Sequence, residues 1–107
     1  MQINQQIYFS IIPEWLTESK VTDNAFRVYA TLCRYADKED GSCYPSIKSI
    51  GNRCNKSPSS VKRALKELKE IGAIKVEARY IDDGQTSNLY TVIFNPTIYG
   101  MGDKVIN

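Results

Sequence analysis

Ser46-Ile47-Lys48-Ser49-Ile50-Gly51-Asn52-Arg53-Cys54-Asn55-Lys56-Ser57-Pro58-Ser59-Ser60-Val61-Lys62-Arg63-Ala64-Leu65-Lys66-Glu67-Leu68 is the stretch that decides the fold. Ser46 stands where a helix N-cap belongs, since its hydroxyl can accept from an N–H that the first turn leaves unpaired. Ile47, Ile50 and Cys54 follow at helical spacing. Gly51 inside that helix costs about 1 kcal/mol relative to Ala unless close packing requires it. Asn55 tolerates the left-handed conformation that ends a helix. Ser57-Pro58 then supplies the next start, a capping hydroxyl followed by proline at the first helical position.

The second helix of the pair is the best defined. Val61, Ala64, Leu65, Leu68 and Ile71 make one apolar stripe, and Gly72 closes the helix as a C′ residue. Spacing at 100° per residue puts Ser59, Lys62, Arg63, Lys66 and Glu70 on the other side. The cations fall in the first turns and the acids, Glu67 and Glu70, later. A helix concerned only with its own dipole shows the reverse order, so the cations answer to something outside the helix.

After Gly72 the period changes from 3.6 to 2. Ile74, Val76 and Ala78 alternate with Lys75, Glu77 and Arg79, which predicts a half-buried strand. Ile81 to Asn88 reads as a long polar turn. Leu89 to Phe94 returns as a strand with Tyr90, Val92 and Phe94 on one face. Thr97 to Asn107 reads as a loose tail.

Toward the N-terminus, Tyr8 to Ile12 is extended by composition, and Pro13 starts a short helical turn, Glu14-Trp15-Leu16. Thr22 or Asp23 caps a helix running to about Tyr35. Phe26, Tyr29, Ala30 and Cys33 form its expected buried face, with Val28, Leu32 and Tyr35 as a second apolar stripe. Asp37 to Gly41 is turn-forming, and Ser42-Cys43-Tyr44 has room for a very short strand.

Composition narrows the chemistry. The chain has 107 residues, 42% of them hydrophobic, which suits one globular domain over 1–107 with its core over about 10–94. The three cysteines have no CxxC spacing and the sequence contains no histidine. The commonest general base and the commonest metal ligand are therefore both missing, and the thiols read as reduced and largely buried. The expectation is a protein that is not an enzyme and uses no metal or cofactor. No apolar run is long enough to span a bilayer and the start lacks signal-peptide features, so the expected location is cytoplasmic.

Net charge is +2, but its distribution is uneven. Gly41 to Lys66 holds six cations (Lys48, Arg53, Lys56, Lys62, Arg63 and Lys66) and no acid over 26 residues. A solvated helical face is the alternative explanation of such a run.

Helix, tight turn, helix with a basic outer half, then a hairpin: this order resembles a winged helix-turn-helix domain, over about residues 10–94. Residues Pro45 to Gly51 resemble the supporting helix, and Ser57 to Leu68 the recognition helix. Gly51 falls where the motif uses a small residue so that its helices touch. Asn55 falls at the left-handed turn, and Ile71-Gly72-Ala73-Ile74 is similar to the step into the wing. Lys56 departs from the pattern, where an apolar residue is usual; its aliphatic stem can cover the gap while the ammonium reaches outward. In Ile12-Pro13, Ala25 to Tyr29, Leu32 with Tyr35-Ala36-Asp37, and Tyr44-Pro45-Ser46 the chain resembles the winged helices of replication initiators and related DNA-handling proteins of Gram-positive phages and plasmids.

The resemblance implies an α+β fold of about three main helices, a C-terminal β-hairpin wing and a short N-terminal helical turn. It implies double-stranded DNA as partner, bound sequence-specifically in replication, conjugation or partition of a plasmid or phage. A transcriptional regulator, and a winged helix used for protein docking, are the alternatives. Lys48, Lys56, Lys62 and Lys66 would neutralise phosphates, and the helix N-terminus would add free N–H groups. Ser59, Ser60 and Arg63 would face base edges, with Arg63 suited to guanine; Ser57 is in reach but suits a cap better. In the wing, Arg79 with Gln85, Thr86, Ser87 and Asn88 would touch the minor groove or backbone, whereas Asp82 and Asp83 would repel it. A reader of this size covers one half-site, so a homodimer on repeated or palindromic sites, through the first helix or the termini, and contacts with other DNA-processing proteins are further expectations. Whether the chain stands alone or is a domain of a longer initiator stays open.

Overall fold

Short local signals set the helix ends. The computed structural model describes residues 9–94, so the expected tail over 95–107 lies outside the described residues. The elements run α1 (Glu14–Thr17), α2 (Asp23–Tyr35), β1 (Ser42–Cys43), α3 (Ile47–Cys54), α4 (Pro58–Glu70), β2 (Ile74–Glu77), β3 (Tyr80–Ile81), β4 (Gly84–Gln85) and β5 (Leu89–Val92). The side chains of Thr22, Ser46 and Ser57 accept from the N–H groups of Ala25, Ser49 and Ser60, which starts α2, α3 and α4. Asn55 ends α3 in the left-handed region at φ 60°, and Gly72 follows α4 at φ 80°. This is an α+β architecture of three main helices and C-terminal antiparallel strands, the arrangement of a winged helix-turn-helix.

The tight turn depends on Gly51. A Cβ added there would stand 2.6 Å from the carbonyl oxygen of Lys56, a backbone atom that cannot step aside. The glycine's cost in α3 is thus exchanged for the close approach of the turn leading into α4.

Helices α2, α3 and α4 and the sheet enclose one core that includes Leu16, Val28, Tyr29, Leu32, Ile50, Val61, Leu68 and Tyr90. Each large apolar side chain buried there contributes about 1.5–3 kcal/mol. The deeper face of α2 is Ala25, Val28, Tyr29 and Leu32, while Phe26, Ala30, Cys33 and Tyr35 are only half-buried. Of the expected buried face only Tyr29 is fully buried, and of the second stripe Val28 and Leu32 are, because α2 is in contact with α4, α3, β5 and β1.

The sheet has order β1-β5-β2, with β2 and β5 antiparallel and Ile74 opposite Val92. Two expectations fail at its ends. Beyond Glu77 the alternation stops: Ala78 is exposed and Arg79 is half-buried. At the other end β5 stops at Val92, and Ile93 is buried while Phe94 is exposed, the opposite of the expected face. Hydrogen bonds explain this. Ile93 N–H donates to the Ala73 carbonyl, the Tyr29 hydroxyl donates to the Ile93 carbonyl at 3.0 Å, and the Trp15 indole N–H donates to the Phe94 carbonyl at 2.9 Å. The core holds the backbone here and turns the strand pattern over. The expected long turn over Ile81 to Asn88 also contains structure, a small hairpin of β3 and β4 pairing Tyr80 with Gln85 and Ile81 with Gly84.

Candidate nucleic-acid interface

One edge of α4 is free because the other is committed to the core. Val61, Ala64, Leu65 and Leu68 point inward, and Ser59, Lys62, Arg63, Lys66 and Lys69 are exposed. Lys48 is exposed on α3, and Lys56 is half-buried in the turn between the two helices. Among the described residues none of Lys48, Lys56, Lys62, Arg63 and Lys66 has a carboxylate within ion-pair distance. Cations held without partners keep their field for an outside anion.

Lys62, Lys66 and Lys69 line one side of an open groove whose other wall is Val76, Asn88 and Tyr90 of the sheet and wing. Lys69 lies three residues after Lys66 and seven after Lys62, on the same helix edge. The groove is where helix and wing converge, and its lysines sit at the rim above an apolar floor.

Ser57 belongs to the helix rather than to the groove. Its Oγ accepts from the Ser60 N–H at 3.2 Å and donates to the Ser60 hydroxyl at 3.0 Å. Ser46 makes the same two bonds with Ser49, at 3.0 and 2.9 Å. The expected open N-terminus of α4 is correspondingly smaller: Pro58 has no N–H, and those of Ser60 and Val61 go to Ser57, which leaves only the Ser59 N–H among the described residues. Lysine side chains therefore carry more of the local positive field than the helix end does.

The wing differs. The Arg79 guanidinium lies 4.3 Å from the centroid of the Tyr44 ring and donates to the Ser87 carbonyl at 3.2 Å. The Gln85 side-chain amide donates to Asn88 Oδ1 at 3.0 Å, and Thr86 N–H donates to the Arg79 carbonyl. Arg79, Gln85, Ser87 and Asn88 thus bond within the wing. Asp82 and Asp83 are exposed between β3 and β4, next to exposed Tyr80 and Ile81.

Glu67 has a role that the sequence did not disclose. Its carboxylate accepts from the Thr22 N–H at 2.7 Å and from the Thr22 hydroxyl at 2.8 Å, at the start of α2. It is an anion at a helix N-terminus on a neighbouring element. Half of the inverted charge order in α4 therefore has a structural cause, and the cations alone remain as the sign of an outside partner.

Protonation is displaced mainly in the interior. Burial pushes the Cys43 thiol up to about 11 and the Cys33 thiol up to about 12, and raises the Tyr29 and Tyr90 phenols. Thiols held protonated at neutral pH are poor nucleophiles and poor metal ligands. All three cysteines are free, and among the described residues no group of three or more metal-ligating side chains comes together. No helix among them is long and apolar enough to cross a membrane.

Comparison with known proteins accords with this geometry. No curated protein matches the chain in sequence. A solved structure described as a possible transcriptional regulator from Methanosarcina mazei Go1 superposes at TM-score 0.59 and 16% identity, covering 80% of this chain and 68% of that one, a likeness of fold. Residues 21–74, which hold α2, β1, α3, α4 and the start of β2, match the family model described as "Helix-turn-helix domain", and the chain belongs to that family.

Proposed function

We propose that the chain is a single DNA-binding domain that reads double-stranded DNA sequence-specifically through α4, with the wing as a secondary contact. The observation that carries this reading is the exposed edge of α4, where Lys62, Arg63 and Lys66 stand without carboxylate partners among the described residues, beside a lysine-rimmed groove. Set in the major groove, Arg63 offers a two-pronged donor to the O6 and N7 of a guanine. Ser59 is exposed at the helix start, and Ser60, half-buried, lies one residue further in. Lys48, Lys56, Lys62 and Lys66 fix register on phosphates. Arg79, Gln85, Thr86, Ser87 and Asn88 shape the wing first and touch the duplex second.

The role we propose is in replication, conjugation or partition of a plasmid or phage, supported by the residue-level resemblance of the sequence. A second reading, transcriptional regulation, is favoured by the description of the superposing structure. Selecting random duplexes with the purified protein and sequencing those retained tests both. A shared motif is expected, and its genomic position separates iterated repeats at an origin from a promoter. Retention of no DNA at moderate salt would contradict the proposal and favour protein docking.

A further inference from the structure

Between α2 and the end of α3, three arginines from two helices line one open pocket. Arg27 and Arg34 come from α2, two turns apart on one side, and Arg53 comes from the end of α3. The rest of the lining includes Phe9, Ala30 and Thr31, and among the described residues no acidic side chain. Phe9 is 63% exposed. Arg53 is held in place by Tyr35, its Nε donating to the hydroxyl at 3.3 Å with the guanidinium 5.2 Å from the ring centroid, so a ligand shares this arginine through its terminal nitrogens. None of these residues belongs to the α4 edge or to the wing.

From this juxtaposition we infer that the pocket is a second nucleic-acid site, one that takes a single nucleotide unit: its phosphate on Arg27 and Arg53, its base against Phe9. Guanidinium groups match the oxygens of a phosphate in pairs and are more weakly hydrated than ammonium groups. An exposed ring next to cations is the pairing that binds unstacked bases irrespective of sequence, because every base has a flat face. A duplex keeps its bases stacked and paired, so the ligand is an unpaired one, either a free mononucleotide or a unit of a single strand. The proposal stands apart from the α4 reading, since no residue is shared between the two sites.

The full chain is titrated with thymidine monophosphate, with a labelled dT12 oligonucleotide, and with inorganic phosphate as competitor. Binding of dT12 that phosphate competes away is expected, weakened about five- to tenfold by Phe9→Ala and by Arg27→Ala. Arg63→Ala should leave it unchanged. Arg27 is exposed, so its loss spares the core, and Arg27→Lys should recover part of the affinity. Binding of the mononucleotide but not of dT12 identifies the source as a free nucleotide. The inference is overturned if neither probe binds, or if binding is lost in Arg63→Ala and kept in Arg27→Ala and Phe9→Ala.

Discussion

The outer edge of α4 and the wing flank the same groove, yet they hold their polar side chains in different states. On α4, Lys62, Arg63 and Lys66 have no ion-pair partner among the described residues. In the wing, Arg79 is stacked on Tyr44 and bonded to Ser87, Gln85 is bonded to Asn88, and Lys75 pairs with Glu77 at 2.9 Å. A group with an internal partner must give that partner up, or share it, before it can bind elsewhere. The helix is thus prepared for an outside ligand, and the wing is largely occupied with its own shape. The acids at the wing tip push in the same direction, because Asp82 and Asp83 oppose phosphate while the first turns of α4 carry no acid.

The largest expected effect tests whether the two edges of α4 are correctly assigned. Leu65→Ala should lower stability by about 2–5 kcal/mol through the cavity it leaves, read as a reduced midpoint in denaturant. Unchanged stability would mean that the helix is rotated and that its outer edge is not the one described.

A smaller effect separates the acids of α4 from its cations. Glu67→Ala removes the carboxylate that holds Thr22, the cap of α2, and should cost about 0.5–2 kcal/mol of stability, measured by thermal melting, without weakening DNA binding. A loss of affinity with no loss of stability would put Glu67 in the interface. The smallest effects concern single phosphates. Lys62→Ala and Lys66→Ala should each weaken all DNA sequences alike and reduce the slope of log affinity against log salt by about one. If either variant changes base preference, that lysine reads sequence.

Much of the helical part was legible because its signals are local. Ser46, Ser57-Pro58, Asn55 and Gly72 each act within a few residues, and all four do so in the structure. The α4 stripe was equally clear, since one side of that helix faces the core and the other is open. What escaped depends on distant partners. Glu67 binds Thr22, the N-cap of α2, which lies 45 positions earlier, and nothing near either residue announces the other. Ile93 and Phe94 exchange faces because Tyr29 and Trp15 bind backbone carbonyls across the core. The β3–β4 hairpin was hidden by Gly84-Gln85, which has low strand propensity and pairs only because the turn brings it back. Of the candidate site, the α4 cations were readable from spacing, whereas the partners of Arg79 were not, because Tyr44 lies on the far side of α3 and α4 in sequence.

The difference between helix and wing is tested most directly by comparing two variants on the same selected duplex. Arg63→Ala is measured against the pair Arg79→Ala with Gln85→Ala, by binding affinity and by preference at each base position. Arg63→Ala is expected to weaken specific binding by about 1–3 kcal/mol and to relax one base position, while the wing pair weakens binding less and leaves the preference in place. The account is contradicted if the wing pair abolishes binding while Arg63→Ala leaves affinity and preference untouched.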